Sequence, residues 1–148
     1  MSWVRIWIHM VFSTKNGEPY LNSSLIRDQL FQHIRNNAEK KGIWLDCVNG
    51  YQEHVHCLIS VGKDQTISNV AQLIKGESSY WINQQKLIPY KFAWQDDYWA
   101  VGVSESHLDS VRNYINTQYE HHRMKPFAEE IDEFMRKYGW ETVKASKK

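Results

Sequence analysis

The sequence predicts an α+β fold, one antiparallel sheet with helices on one face and further helices toward the C-terminus. Three observations lead there. Runs that alternate with period two trade places with runs of helical spacing, in the order β-α-β-β-α-β, before two more helical runs. Asn49-Gly50 stands between two alternating runs, which reads as a hairpin rather than a long crossover. A length of 148 residues suits a single core, so residues 1–148 are expected to form one domain, with 140–148 a flexible tail.

From Val4 to Phe12, Val4, Ile6, Ile8, Met10 and Phe12 alternate with Arg5, Trp7, His9 and Val11, which predicts a first strand with one buried face. Asn16 to Pro19 breaks it. Ser23 or Ser24 can cap a helix to about Lys41 that carries Leu25, Leu30, Ile34 and Ala38, and Gly42 ends it. Ile43 to Asn49 alternates again, with Ile43, Leu45 and Cys47 expected on one face. His54 to Val61 is the third strand. A second helix is expected from Thr66 or Ser68 to about Gln85, with Val70, Leu73, Ile74, Trp81 and Ile82 as its apolar stripe. Lys91–Trp94 and Tyr98–Val103 read as a further strand pair. A third helix is expected from about Ser106 to Arg123, and a fourth, short one follows Pro126. The first six elements fit a ferredoxin-like (RRM-like) split βαβ arrangement.

Composition sets bounds on function. The formal net charge is +1, so no overall basic excess announces a nucleic-acid partner and any basic patch is local. Seven Trp and eight Tyr supply core material first and, where exposed, stacking surfaces for unpaired bases; Trp3, Trp7 and Trp44 are the candidates. Cys47 and Cys57 do not make a disulfide framework, and Cys57 faces the expected core. No run of about 18 apolar residues suggests a membrane span, and the chain reads as cytoplasmic.

The chemistry concentrates in His54-Val55-His56. Residues two apart in a strand share a face, so the two imidazoles stand side by side while Val55, Cys57 and Ile59 face the core. Such a pair alone is more often two satisfied or solvated histidines than a metal site. On the third helix, Tyr114 and Gln118 are four residues apart and project together, whereas Tyr119 is turned about 100° from Gln118. Two imidazoles and an amide oxygen would give a hard or borderline divalent ion three ligands and leave positions for phosphate oxygens. Tyr114 would then be the nucleophile of a phosphoryl transfer.

With these residues in hand, the chain resembles the single-tyrosine transposases of the HUH superfamily, small enzymes that move insertion sequences as single-stranded DNA. His54-Val55-His56 matches the His-hydrophobic-His motif. Tyr114 and Gln118, followed by His121-His122, match the helix motif. Lys75-Gly76 with Ser78-Ser79, Phe92 to Gln95, and His9 with Thr14-Lys15 resemble further blocks, and the likeness runs from about Trp3 to Gly139. The resemblance implies a ferredoxin-like core with the catalytic Tyr114 on a C-terminal helix, and Mg²⁺ or Mn²⁺ held by His54, His56 and Gln118. It also implies a homodimer in which Tyr114 of one subunit commonly serves the other's histidines. The substrate would be a single-stranded DNA hairpin, cut through a 5′-phosphotyrosine that leaves a 3′-hydroxyl.

Other residues carry weaker expectations. Lys75, Arg112, His121 and His122 are candidate DNA contacts, although solvated surface charge is the commoner explanation for any one lysine or arginine, and for the two histidines metal ligation and helix-end stabilisation are equally open. Glu53 would orient His54 or His56, or simply occupy the hairpin loop. Two other functions fit the same motifs. One is a domesticated protein that binds DNA or RNA hairpins and cuts nothing; the other is a nicking enzyme of replication or plasmid transfer, for which the chain carries no helicase.

Overall fold

A computed structural model of the chain describes residues 1–118 and 126–138. The chain divides into two compact units, Met1–Gln118 and Tyr119–Lys148.

The first unit is built on a four-stranded sheet of β1 (Ile6–Ser13), β2 (Trp44–Gly50), β3 (His54–Val61) and β4 (Trp99–Val103). Their order is β2-β3-β1-β4, and every neighbouring pair is antiparallel. Two helices, α1 (Ser24–Lys40) and α2 (Ile67–Gln85), connect β1 to β2 and β3 to β4. This is the ferredoxin-like topology that the element order predicts. The hydroxyls of Ser23 and Thr66 cap the two helices by accepting from the amides of Ile26 and Asn69, each cap contributing about 1 kcal/mol. Gly42, at φ +71°, supplies the left-handed residue that ends α1.

The sheet is buried on both faces. Ile8, Met10 and Phe12 of β1 and Val55, Cys57 and Ile59 of β3 pack with Leu30, Ile34, Val70 and Ile74 of the two helices. On the opposite face Trp7, Cys47 and Leu58 pack against Ile115 of a third helix, α3 (Leu108–Asn116), with Val111 and Tyr114 beside them. Trp7 is thus covered by α3 and is no platform for bases, whereas Trp3 and Trp44 are exposed.

Further sequence expectations are corrected: the third helix does not run on from Ser106 through Gln118, because α3 spans Leu108–Asn116 and Thr117 caps it. Cys47 does not share a face with Ile43 and Leu45, because β2 shifts register between Leu45 and Cys47. An extra residue in one strand reverses the facing of everything after it, and so Val48 takes the core place. Lys91–Trp94 is not a strand; it touches the sheet through a single bridge, Thr14 to Trp94. The Ala93 carbonyl accepts from the Lys15 N–H at 3.0 Å, and the polar groups of Phe92 and Trp94 are met by α2. The Asn83 amide accepts from the Phe92 N–H at 2.8 Å and donates to the Phe92 carbonyl at 3.0 Å, and the Trp94 indole donates to Ser78 Oγ at 2.9 Å.

In the second unit, α4 (Phe127–Tyr138) begins just after Pro126 and carries Glu129 and Glu130 in its first turn, where negative charge complements the helix dipole.

Candidate active site

The site is assembled on the α3 face of the sheet. β3 lies in the sheet interior, bonded to β1 and β2, so His54 and His56 stand on a rigid strand, and both are buried. Gly50 permits the tight hairpin beside them, since a Cβ there would fall 2.1 Å from the His54 carbonyl oxygen.

Each histidine is oriented by a neighbour. His54 Nδ1 lies 2.8 Å from a carboxylate oxygen of Glu53, so Nδ1 carries hydrogen and Nε2 is turned inward. Glu53 is itself held: Thr14 donates its backbone N–H to the Glu53 carbonyl at 2.8 Å. His56 Nδ1 lies 2.8 Å from His9 Nε2, so Nε2 is the nitrogen that His56 would offer to a metal.

α3 brings the remaining groups. It is clasped to β2 at two points. The Arg112 guanidinium donates to both carboxylate oxygens of Asp46, at 2.7 and 3.1 Å, and the Asn49 amide donates to the Ile115 carbonyl at 2.9 Å. The Tyr114 ring then lies 5.6 Å from that of His56 and 6.1 Å from that of His9, edge to face in both cases. Gln118 follows the Thr117 turn that ends the helix and is fully buried. Its Nε2 donates to the Tyr114 carbonyl at 3.1 Å, which identifies Oε1 as the end facing His54 Nε2, 3.0 Å away.

These groups are of the kind that could hold a divalent cation. His54 Nε2 and Gln118 Oε1 face each other at 3.0 Å and, with Nε2 unprotonated, could turn a nitrogen and an oxygen lone pair toward one cation. A ring nitrogen of His56 lies within 4.8 Å of one of His54.

The structure therefore brings together four of the residues singled out from sequence, His54, His56, Tyr114 and Gln118. It gives Lys75 and Arg112 partners inside the chain. The Lys75 ammonium donates to the carbonyls of Gln95, Asp96 and Asp97 at 2.6, 2.8 and 3.3 Å. Burial pulls its pKa below the usual lysine value, against the opposing pull of Asp96 and Asp97. Arg112 is held above its ordinary value, first by its hydrogen bond to Asp46. His121 and His122 lie outside the described residues. Sequence reasoning missed His9 and Asn49 as members of the site. The signal for His9 was a lone histidine inside an otherwise apolar strand; its pairing with His56 needs the β1–β3 register, in which His9 faces Leu58 and becomes a diagonal neighbour of His56.

A family profile described as "Transposase IS200 like" matches residues 2–118. The chain belongs to this family. Transposases cleave nucleic acid to move DNA, and the chain is one of them by descent. Two solved structures share the fold. The "putative transposase" of Deinococcus radiodurans R1 aligns with a TM-score of 0.63 and 21% identity over 79% of this chain and 93% of that one. A REP-associated tyrosine transposase bound to a REP hairpin aligns with a TM-score of 0.56 and 14% identity, over 82% of this chain and 70% of that one. No curated protein matches the sequence significantly. Among the described residues no helix is long and apolar enough to cross a membrane.

Proposed function

We propose that this transposase cuts and rejoins single-stranded DNA beside hairpins, with Tyr114 as nucleophile and with His54, His56 and Gln118 holding Mg²⁺ or Mn²⁺. The observation that carries the reading is the convergence of His54 Nε2 and Gln118 Oε1 at 3.0 Å with Tyr114 beside His56, all within one chain. A metal ion bound there would polarise the scissile phosphate and offset the charge that develops on it.

The tyrosine does the covalent work. Its hydroxyl oxygen attacks phosphorus and gives up its proton, a new P–O bond forms to the phenolic oxygen, and the P–O3′ bond breaks. The departing 3′-oxygen takes a proton, leaving a 3′-hydroxyl and a 5′-phosphotyrosine. Attack by another 3′-hydroxyl on that ester reverses the sequence and joins strands without outside energy. Gln118 serves twice, because its amide nitrogen holds the Tyr114 carbonyl while its oxygen faces the histidine.

A hairpin substrate is supported by the REP hairpin bound to the structural relative. A homodimer remains part of the proposal, with each chain contributing its own tyrosine to its own histidines. The decisive assay incubates the protein with a single-stranded hairpin oligonucleotide and Mg²⁺ or Mn²⁺. A covalent adduct with wild type, and less than about one-thousandth of it with Tyr114→Phe, is the expected result. An equal adduct with Tyr114→Phe would remove Tyr114 as nucleophile. Tight hairpin binding without any adduct would instead favour a binding protein that has lost transposition.

A further inference from the structure

We propose that His9 is the positioning residue of His56: it accepts a hydrogen bond from His56 Nδ1–H at Nε2 and thereby fixes both the tautomer and the ring orientation that a metal ligand needs. This rests on the reading of His54, His56 and Gln118 as a metal site.

The direction of the bond carries the inference. His9 Nε2 and His56 Nδ1 are 2.8 Å apart and both residues are buried. Between two neutral imidazoles one nitrogen donates and the other accepts. If His9 donated, His56 would hold its own hydrogen on Nε2 and could not ligate through it. If His56 donates, Nε2 carries a lone pair on the side of His54 and Tyr114. Only the second arrangement serves a metal, and it requires an acceptor where His9 Nε2 stands.

The strand makes that acceptor stationary. β1 is bonded on both edges, and His9 lies opposite Leu58 of β3 and Val101 of β4. His9 and His56 are tilted by only 31° with ring centroids 5.1 Å apart. Glu53 fills the same office for His54, at the same 2.8 Å distance. The two ligands thus differ in their supports: a carboxylate from the hairpin loop for one, a neutral imidazole from the neighbouring strand for the other. The second choice orients the ligand without adding another negative charge to a buried place that must also admit a phosphate.

The test uses the full chain, stripped of metal and titrated with MnCl₂ by calorimetry. Wild type is expected to bind one Mn²⁺ per chain. His9→Phe, which keeps ring volume and removes the acceptor, is expected to weaken binding roughly ten- to a hundredfold. His9→Gln, which can return an oxygen near the place of Nε2, is expected to recover binding to within about threefold of wild type, a rescue that lost packing would not produce. Unchanged Mn²⁺ affinity in His9→Phe overturns the role of His9 and leaves the metal site standing. No Mn²⁺ uptake by wild type, or wild-type affinity in a His54→Ala/His56→Ala variant, overturns the metal site and the role of His9 with it. Long-range ¹H–¹⁵N spectra of the metal-free wild type decide the matter even where a variant does not fold. His56 protonated on Nδ1 supports the proposal, and His56 protonated on Nε2 alone overturns it.

Discussion

Tyr114 and His56 of one chain meet edge to face, with ring centroids 5.6 Å apart. Their meeting follows from how α3 is fixed, with Arg112 gripping Asp46 and Ile115 gripped by Asn49 on either side of the tyrosine. Tyr114 and the histidines thus come together within one chain, whereas the sequence resemblance implies an exchanged arrangement. Complementation measures the difference. Tyr114→Phe and His56→Ala proteins, each without adduct formation alone, are expected to stay without it when mixed and allowed to exchange subunits. Recovery of about a quarter or more of wild-type adduct would mean that the tyrosine is delivered across a dimer.

The Asp46–Arg112 pair can be assigned a role by a double-mutant cycle. Both side chains are partly exposed, so solvent screening keeps the pair's contribution to global stability small despite its bidentate geometry. If its function is to hold α3, Asp46→Asn and Arg112→Gln lower adduct formation by similar factors, and the double variant is no worse than either single one. A phosphate contact by Arg112 would give a different pattern. Only Arg112→Gln would then weaken hairpin binding, and the salt dependence of binding would fall by about one counterion.

Much of this architecture is legible in the sequence because the apolar periods are clean. The bounds of β3, His54–Val61, coincide with its alternation, and Ser23 and Thr66 announce the starts of α1 and α2 by their capping chemistry. Failures occur where a segment is held by something other than its own pattern. Phe92 and Trp94 look like strand residues, yet Asn83 and Ser78 satisfy them from α2. Cys47 changes face because of a register shift that no local pattern signals. In the site, Tyr114, Gln118 and the two histidines are readable as motifs. The roles of His9, legible only as part of a first-strand block, and of Asn49 are not, since their partners lie 47 and 66 residues away and only the sheet order and the docking of α3 bring them close.

Lys75 is expected to act on stability rather than on DNA affinity. Its ammonium is shared among three carbonyls of the loop that leads into β4, and the Tyr98 ring lies 5.8 Å from it. Lys75→Met keeps the stem and leaves those carbonyls to solvent, a loss of about 2 kcal/mol for charged hydrogen bonds at a half-buried position. Urea unfolding should register this loss, and amide exchange should quicken at Gln95 to Tyr98. Hairpin binding should keep its wild-type salt slope. A slope reduced by about one, with stability unchanged, would identify Lys75 as a phosphate contact instead.

The two cysteines give the protein an alkaline limit. Burial pushes the Cys47 thiol up from 9.0 to about 11, with the nearby Asp46 charge adding to it, and burial pushes Cys57 higher still. Above about pH 9 the unfolded chain ionises these thiols while the folded one keeps them protonated, so the folded state binds more protons. The thiols' contribution to stability is accordingly present in full below pH 9, and that of Cys47 is lost as the pH climbs toward 11. For Cys47, a shift of two units at about 1.4 kcal/mol per unit sets a ceiling of about 3 kcal/mol. Urea unfolding at pH 8 and pH 10.5 is expected to show a fall of which about 2 kcal/mol disappears in Cys47→Ala. At pH 8 both thiols should also react slowly with a disulfide reagent until urea is added. An equal alkaline loss in Cys47→Ala and wild type would show that the Cys47 thiol ionises as readily in the fold as outside it.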